Sequence, residues 1–364
     1  MKLHIQDYER LFNHKGLRFL INDLALKGYA DLGVVAIVQD DEFVCYMPKT
    51  LIEKTSDEGL VLYGNEKKFN KYTEDFREIN KKFIAFCDKM LSEHTLLKSH
   101  MEKFFDFCIE FISEYKKTEL IYVDKPYLES QKSNNQELKN NLKKYESVKF
   151  EFRDLINVIF FSSDSYYQKI LEKLGKQLNV SSDDLQQYKS EEILALFEGK
   201  KVSKKIVVER FHRNVIIDDN KTIKYFWGKE ADNIIKDFLK EEENQTISGI
   251  IVNKGKATGI ARIIKPSWRG DFKAIKEAME CMNKGDILIA ETTSPDIMIA
   301  IRKAGAIVAD QGGLMSHAAI MSREMNVPGI VGAHNATKLI KDGDLIEVDA
   351  DKGVVKIIKR STNV

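Results

Sequence analysis

The segment from Ala306 to Ile320 reads Ala-Ile-Val-Ala-Asp-Gln-Gly-Gly-Leu-Met-Ser-His-Ala-Ala-Ile, and it holds the residue best placed to do chemistry, His317. An apolar run leads into Gly312-Gly313, and two glycines let the backbone turn through conformations closed to other residues. Ser316 is a natural N-cap for a helix from His317 to Met325, with Ala318, Met321 and Met325 on one face. Asn326 and Pro328 then stop it. This spacing puts His317 in the first turn of a helix. That end carries N–H groups beyond the reach of helical acceptors, and the positive end of the helix dipole. An anion is stabilised there. The same field disfavours the imidazolium and keeps the ring neutral. A neutral imidazole attacks phosphorus, and the P–N bond it forms is labile enough to pass the group onward. The transition state of such a transfer is loose, so positioning and charge neutralisation do most of the work. Taken alone, a histidine after Gly-Gly at a helix start also reads as a partly buried capping residue.

Other elements must hold this turn in place. From about Ile247 the chain becomes rich in glycine and short β-runs. Strands are predicted at Gly249 to Val252, Thr258 to Ile264, Asp286 to Ala290, Ala306 to Ala309, Gly329 to Val331, Leu345 to Val348 and Val354 to Ile358. Helices between some of them make residues 246–364 an α/β domain. Ser294-Pro295-Asp296 reads as a helix start: cap, proline at the first position, acid in the first turn. The solvated run Lys240 to Thr246 is the expected boundary and hinge. Before it, residues 71–245 are mainly helical. Phe76, Ile79, Phe83, Phe86, Met90 and Leu91 mark one apolar helix face, and Phe104, Cys108, Phe111 and Tyr115 another. Ser130 to Asn141 reads as an exposed loop or frayed helix start. Ser190 is the expected N-cap of a short helix that Gly199 ends, and Ile206 to Val208 is a candidate strand. Residues 1–70 read as a small α+β subdomain. Val34 to Val38 and Phe43 to Met47 form its hairpin, and Leu60 to Tyr63 a third strand.

Composition narrows the function classes. The chain has 364 residues, 43% hydrophobic and 31% charged, with a formal net charge of +1. That length suggests two or three domains. The charge balance argues against nucleic-acid binding, which needs a basic excess. No apolar run approaches the ~20 residues that span a bilayer, so no membrane association is expected. Cys45, Cys87, Cys108 and Cys281 lack metal or disulfide spacing, and no metal site is expected. Cys87 and Cys108 read as buried thiols. A reducing, cytoplasmic setting follows.

Residues from about Gly249 to Ile358 resemble the phosphohistidine (swivelling) domain of the phosphoenolpyruvate-utilising enzymes. That family includes phosphoenolpyruvate synthase, pyruvate phosphate dikinase and rifampicin phosphotransferase. The resemblance rests on Gly255, Ala257, Gly259, Thr293-Ser294-Pro295-Asp296 and Ala304 to Asp310. It continues through Gly312-Gly313, Ser316-His317-Ala318-Ala319-Ile320, Arg323-Glu324 and Val327-Pro328. Gly332, Asn335-Ala336-Thr337, Asp342-Gly343-Asp344 and Val348-Asp349 complete it. It implies an α/β domain of the β/β/α swivelling type in which His317 is phosphorylated. Gly312, Gly313, Ser316 and Ala318 would contact the phosphoryl group. Thr293 and Asp296 would shape the surface nearby. Arg323, six residues past His317, would face elsewhere and pair with an acid. His334 is expected to be non-catalytic. One residue departs from the family pattern: Met315 stands where a threonine is usual. It cannot be phosphorylated, so regulation at that position is not expected.

The family's ATP-grasp and barrel domains are not expected in this chain. There is no GxGxxG and no GxxxxGK[ST]. The helical region more diffusely resembles the segment preceding the phosphohistidine domain in relatives, where it binds the acceptor. Arg210, His212 and Arg213 are candidates there for an anion site, or for structural pairing. The resemblance thus implies a phosphoryl-carrier subunit that binds no cofactor of its own. A separate ATP-grasp partner, with ATP and Mg²⁺, or phosphoenolpyruvate, would load His317. The group would then pass to an unknown acceptor. The alternative is a non-catalytic interaction or regulatory module that keeps the swivelling fold.

Overall fold

The computed structural model describes residues 4–30, 32–40, 42–219, 222–239, 247–264, 272–294 and 297–361. The expected hinge, Lys240 to Thr246, lies outside the described residues. The chain forms two compact units, Met1–Glu241 and Glu242–Val364.

In the first unit, five antiparallel strands form one sheet. They are β1 (Tyr8–Lys15), β2 (Val35–Gln39), β3 (Glu42–Pro48), β4 (Arg213–Asp219) and β5 (Thr222–Trp227), in the order β1-β3-β2-β4-β5. The expected hairpin is β2–β3, closed by the pair Gln39↔Glu42, with Asp40 at φ +49° in the turn. Because β2 pairs with β4, the boundary expected near residue 70 runs through one unit. Helices fill the span between the sheet's two halves. The helix Glu66–Ser92 buries Phe69, Tyr72, Phe76, Phe83, Cys87 and Met90 along one face. The Phe76 ring centroid lies 5.1 Å from that of Phe111 and 4.2 Å from that of Phe152. Aromatic rings from three helices thus make this core, with Cys87 and Cys108 fully buried in it.

Four local expectations fail here, each because tertiary contacts decide the outcome. Leu60 to Tyr63 is not a strand but the last turn of the helix Lys49–Tyr63. That helix buries Thr55, Gly59 and Tyr63, four residues apart, which is helical spacing. A Cβ on Gly59 would sit 1.8 Å from the Tyr122 carbonyl oxygen, so glycine permits the helices to touch. Ile206 to Val208 lies inside the helix Lys204–His212, which starts at a Ser203 cap and buries Val207 and Arg210. Ser130 to Asn141 is mostly helix: Leu120–Lys132 ends and Gln136–Ile156 begins within it, capped by Asn135. Ser130 and Asn141 are buried. Ser190 begins the helix Ser190–Leu196 rather than capping it, because its N–H and hydroxyl both donate to Asp23.

The second unit is an eight-stranded sheet. Its strands are β6 (Ile247–Ser248), β7 (Ile250–Asn253), β8 (Lys256–Ile264), β9 (Ile287–Ala290), β10 (Ala306–Ala309), β11 (Gly329–Val331), β12 (Leu345–Asp349) and β13 (Val354–Lys359). All seven expected strands are present, with the two-residue β6 added. The order is β6-β13-β12-β8-β9-β10-β11-β7. Strands β8 to β11 run parallel, and the outer pairings are antiparallel. Parallel neighbours need crossovers. The helices Phe272–Cys281, Met298–Lys303 and His317–Glu324 supply them in turn. Every residue of β9, β10 and β11 is buried, which is why these strands read as unbroken apolar runs. Such a sheet gathers functional loops at the carboxyl ends of its parallel strands.

Candidate functional site

Three loops meet at that end of the sheet. The first follows β9 and carries Thr293. The second follows β10 and carries residues 310–316. The third follows β11 and carries residues 332–335. Hydrogen bonds continue the strand ladder past the strands themselves. The Asp310 N–H donates to the Ala290 carbonyl (3.0 Å), and the Gln311 N–H to that of Glu291 (2.9 Å). The Ala333 N–H donates to Ala309 (3.0 Å), and the His334 N–H to Asp310 (3.0 Å).

His317 opens the helix His317–Glu324, and Ser316 is its N-cap, as the sequence requires. The Ser316 hydroxyl accepts from the Ala319 N–H (3.3 Å). The Ser316 N–H donates to the Gly313 carbonyl (3.0 Å), closing the turn before the helix. Gly312 sits at φ +113°, and a Cβ there would lie 2.7 Å from the Ser316 hydroxyl oxygen. Glycine is therefore needed twice over, for its backbone angle and for the approach of the cap. Gly312→Ala should destabilise the second unit by about 1–3 kcal/mol. Its thermal midpoint should fall, and an unchanged midpoint would contradict this geometry.

The helix ends as its sequence suggests. Asn326 takes a left-handed φ of +52°. The Val327 N–H donates to Ser322 and the Asn326 N–H to Arg323, the two bonds of a Schellman motif. Ala318 and Met321 face the core, but Met325 is 37% exposed and does not share their burial. Met315 is buried, so its side chain packs inward.

His317 is half-buried. Its Nδ1 lies 2.9 Å from Thr293 Oγ1, and Thr293 is itself buried. The sequence placed Thr293 near His317, and the structure puts it in direct contact. Asp296 lies outside the described residues. Arg323, expected to pair with an acid, bonds a backbone carbonyl. Its guanidinium donates to Leu314 O (2.7 Å), which ties the helix's last turn to the loop before its first. Asp310 and Thr337 were not recognised from sequence as a pair. The buried Asp310 carboxylate accepts from the Thr337 N–H (3.2 Å) and from the Thr337 hydroxyl.

Arg210, His212 and Arg213 do not converge on an open anion site. Arg210 is buried, donating to both Glu192 oxygens (2.6 and 2.9 Å) and to the Gln187 carbonyl. Its guanidinium lies over the rings of Phe19 and Trp227. Burial would push the Glu192 carboxyl up, yet the Arg210 bonds and the Lys189 N–H outweigh it and hold it below its usual range. Arg213 pairs with Asp40 and Asp232, and His212 lies 3.6 Å from Asp40. Pairing within the unit explains this cluster. Among the described residues, no helix is long and apolar enough to cross a membrane.

The sequence model described as "PEP-utilising enzyme, mobile domain" matches residues 282–353. Curated proteins are similar to part of the chain. One is a "Probable phosphoenolpyruvate synthase" of Archaeoglobus fulgidus, 42% identical over 120 residues, covering 32% of this chain and 15% of that protein. Another is the "Phosphoenolpyruvate synthase" of Aeropyrum pernix, 38% identical over 109 residues, 30% of this chain and 12% of that protein. A third is the "Uncharacterized phosphotransferase YvkC" of Bacillus subtilis, 34% identical over 135 residues, 36% of this chain and 15% of that protein. The matched segment spans 12% to 15% of the length of these relatives. Residues 282–353, with the His317 helix and its three loops, thus carry the likeness to the mobile domain of the PEP-utilising enzymes, a family of phosphotransferases.

Proposed function

We propose that His317 carries a phosphoryl group as a phosphohistidine, bonded through Nε2. The observation that carries this reading is the Thr293–His317 contact at the start of the helix. A neutral imidazole has one N–H and one lone pair. With the proton on Nδ1, the ring donates to Thr293 Oγ1 and the lone pair lies on Nε2. Nε2 then attacks the donor's phosphorus. The P–N bond forms, the donor's P–O bond breaks, and the leaving oxygen keeps its electron pair. Nδ1 keeps its proton and its bond to Thr293 throughout, so the partner that orients the ring also steadies the charge that develops on it. In this reading the amide of Ala318, the Ser316 hydroxyl and the backbone at Gly312-Gly313 receive the phosphoryl oxygens.

In this reading the chain is the carrier component of a phosphotransferase. A separate ATP-grasp protein loads His317 from ATP with Mg²⁺, and the group passes to a small-molecule acceptor. Phosphoenolpyruvate is the other donor consistent with the family. Met315 is buried, so its side chain fills core space.

The test is to incubate the purified chain with labelled ATP and Mg²⁺, or with labelled phosphoenolpyruvate, alone and with an extract of the source cells. Acid-labile, alkali-stable label is expected on the chain, and with ATP it is expected only when extract is present. Label from ATP without extract would overturn the division between carrier and loading partner. No label from either donor, in an extract that labels a known phosphohistidine protein, would favour a non-catalytic module.

A further inference from the structure

Thr293 and His317 come from different loops, so their contact depends on what holds those loops in register. We propose that Asp310 is the positioning residue that does so, and that it thereby fixes the ring tautomer of His317. This inference rests on the reading of His317 as the phosphoryl carrier.

Asp310 is the first residue after β10 and is 4% exposed. Its polar groups grip two segments, one at the end of β9 and one after β11. Its N–H donates to Ala290 at the end of β9, and its carbonyl accepts from the His334 N–H. Its carboxylate accepts from the Thr337 N–H and hydroxyl. A buried carboxylate is costly unless hydrogen-bonded, so the third loop is committed to this group.

That loop needs holding. His334 has φ +60°, and the Asn335 N–H donates back to the Ala333 carbonyl at 2.7 Å. Such a three-residue turn with positive φ is rare and strained, and a side chain at its centre makes it rarer. Strained backbone persists only where its surroundings over-determine it. Asp310 grips this turn at His334 and again at Thr337. On its other side, Gln311 bonds Glu291 through both its N–H and its side-chain amide (3.2 Å). Thr293 lies two residues beyond Glu291. The chain of contacts therefore runs from the strained turn, through Asp310-Gln311, to the loop that presents Thr293. Loosening Asp310 would let the loops slip. A displacement of about 1 Å is enough to cost on the order of 10²-fold in rate.

The test uses the full chain with Asp310→Asn and Thr337→Val. Each should slow the labelling of His317 by about tenfold or more. A structural role alone would not move two further readouts. In the unphosphorylated protein, imidazole nitrogen NMR shifts should show the proton on Nδ1 of His317, and a mixture of tautomers in each variant. Asp310→Asn should also add no further loss in a Thr293→Val background, because both changes act through one contact. Folded variants that keep the single tautomer, or losses that multiply in the double variant, would overturn the proposal. Should Asp310→Asn fail to fold, Thr337→Val decides, since it removes one hydroxyl. If the wild type takes no phosphoryl group at all, the carrier reading fails, while the nitrogen shifts still decide the role of Asp310.

Discussion

Replacing His317 with alanine should remove all acid-labile phosphate from the chain and leave its thermal midpoint nearly unchanged. Loss should be complete, because alanine has no nucleophile and no other group in the loop is placed to replace it. Stability should survive because Ser316 caps the helix and Ala318 and Met321 anchor it, while His317 is only half-buried. His317→Gln should behave in the same way, keeping a polar side chain that cannot form a P–N bond. Residual label on either variant, at wild-type rate, would place the acceptor nitrogen elsewhere. A collapse in thermal midpoint would mark His317 as a packing residue.

The second large effect is expected at Thr293. Thr293→Val keeps the shape of the buried side chain and deletes the hydroxyl that contacts Nδ1. Second partners of this kind orient the ring and set its tautomer, and their loss costs roughly 10- to 100-fold. The labelling rate of His317 should fall by that factor, with the label still on His317. Thr293→Ser, which restores the hydroxyl, should recover most of the rate. An unchanged rate in Thr293→Val would mean that the hydrogen bond does not orient the reacting ring.

Much of this site is legible in the sequence because its determinants are local. Gly312, the Ser316 cap and the Asn326 stop each act within a few residues, so the position of His317 at a helix start follows from spacing alone. The strands of the second unit are legible for a related reason. Buried on both faces, they read as short unbroken apolar runs.

What the sequence hides is non-local. Asp310 and Thr337 lie 27 residues apart, and nothing near either marks the other as its partner. The turn at His334 puts a side chain where glycine is the usual signal, so no local cue exists. The bond from Arg323 to Leu314 O depends on how the loop folds back. In the first unit, β-forming residues at Leu60 to Tyr63 sit in a helix because Gly59 and Tyr63 pack against neighbouring helices. The pairing of β2 with β4 joins residues 35–39 to residues 213–217, a closure that no local pattern encodes.

Phosphorylation of His317 at Nε2 is the step on which the proposed function depends. It is tested most directly by fragmenting the loaded chain under alkaline conditions and locating the phosphoryl mass by sequencing mass spectrometry, with NMR assigning the ring nitrogen. One phosphoryl group is expected, on His317, at Nε2. A phosphoryl group on another residue, or on Nδ1 of His317, would contradict it.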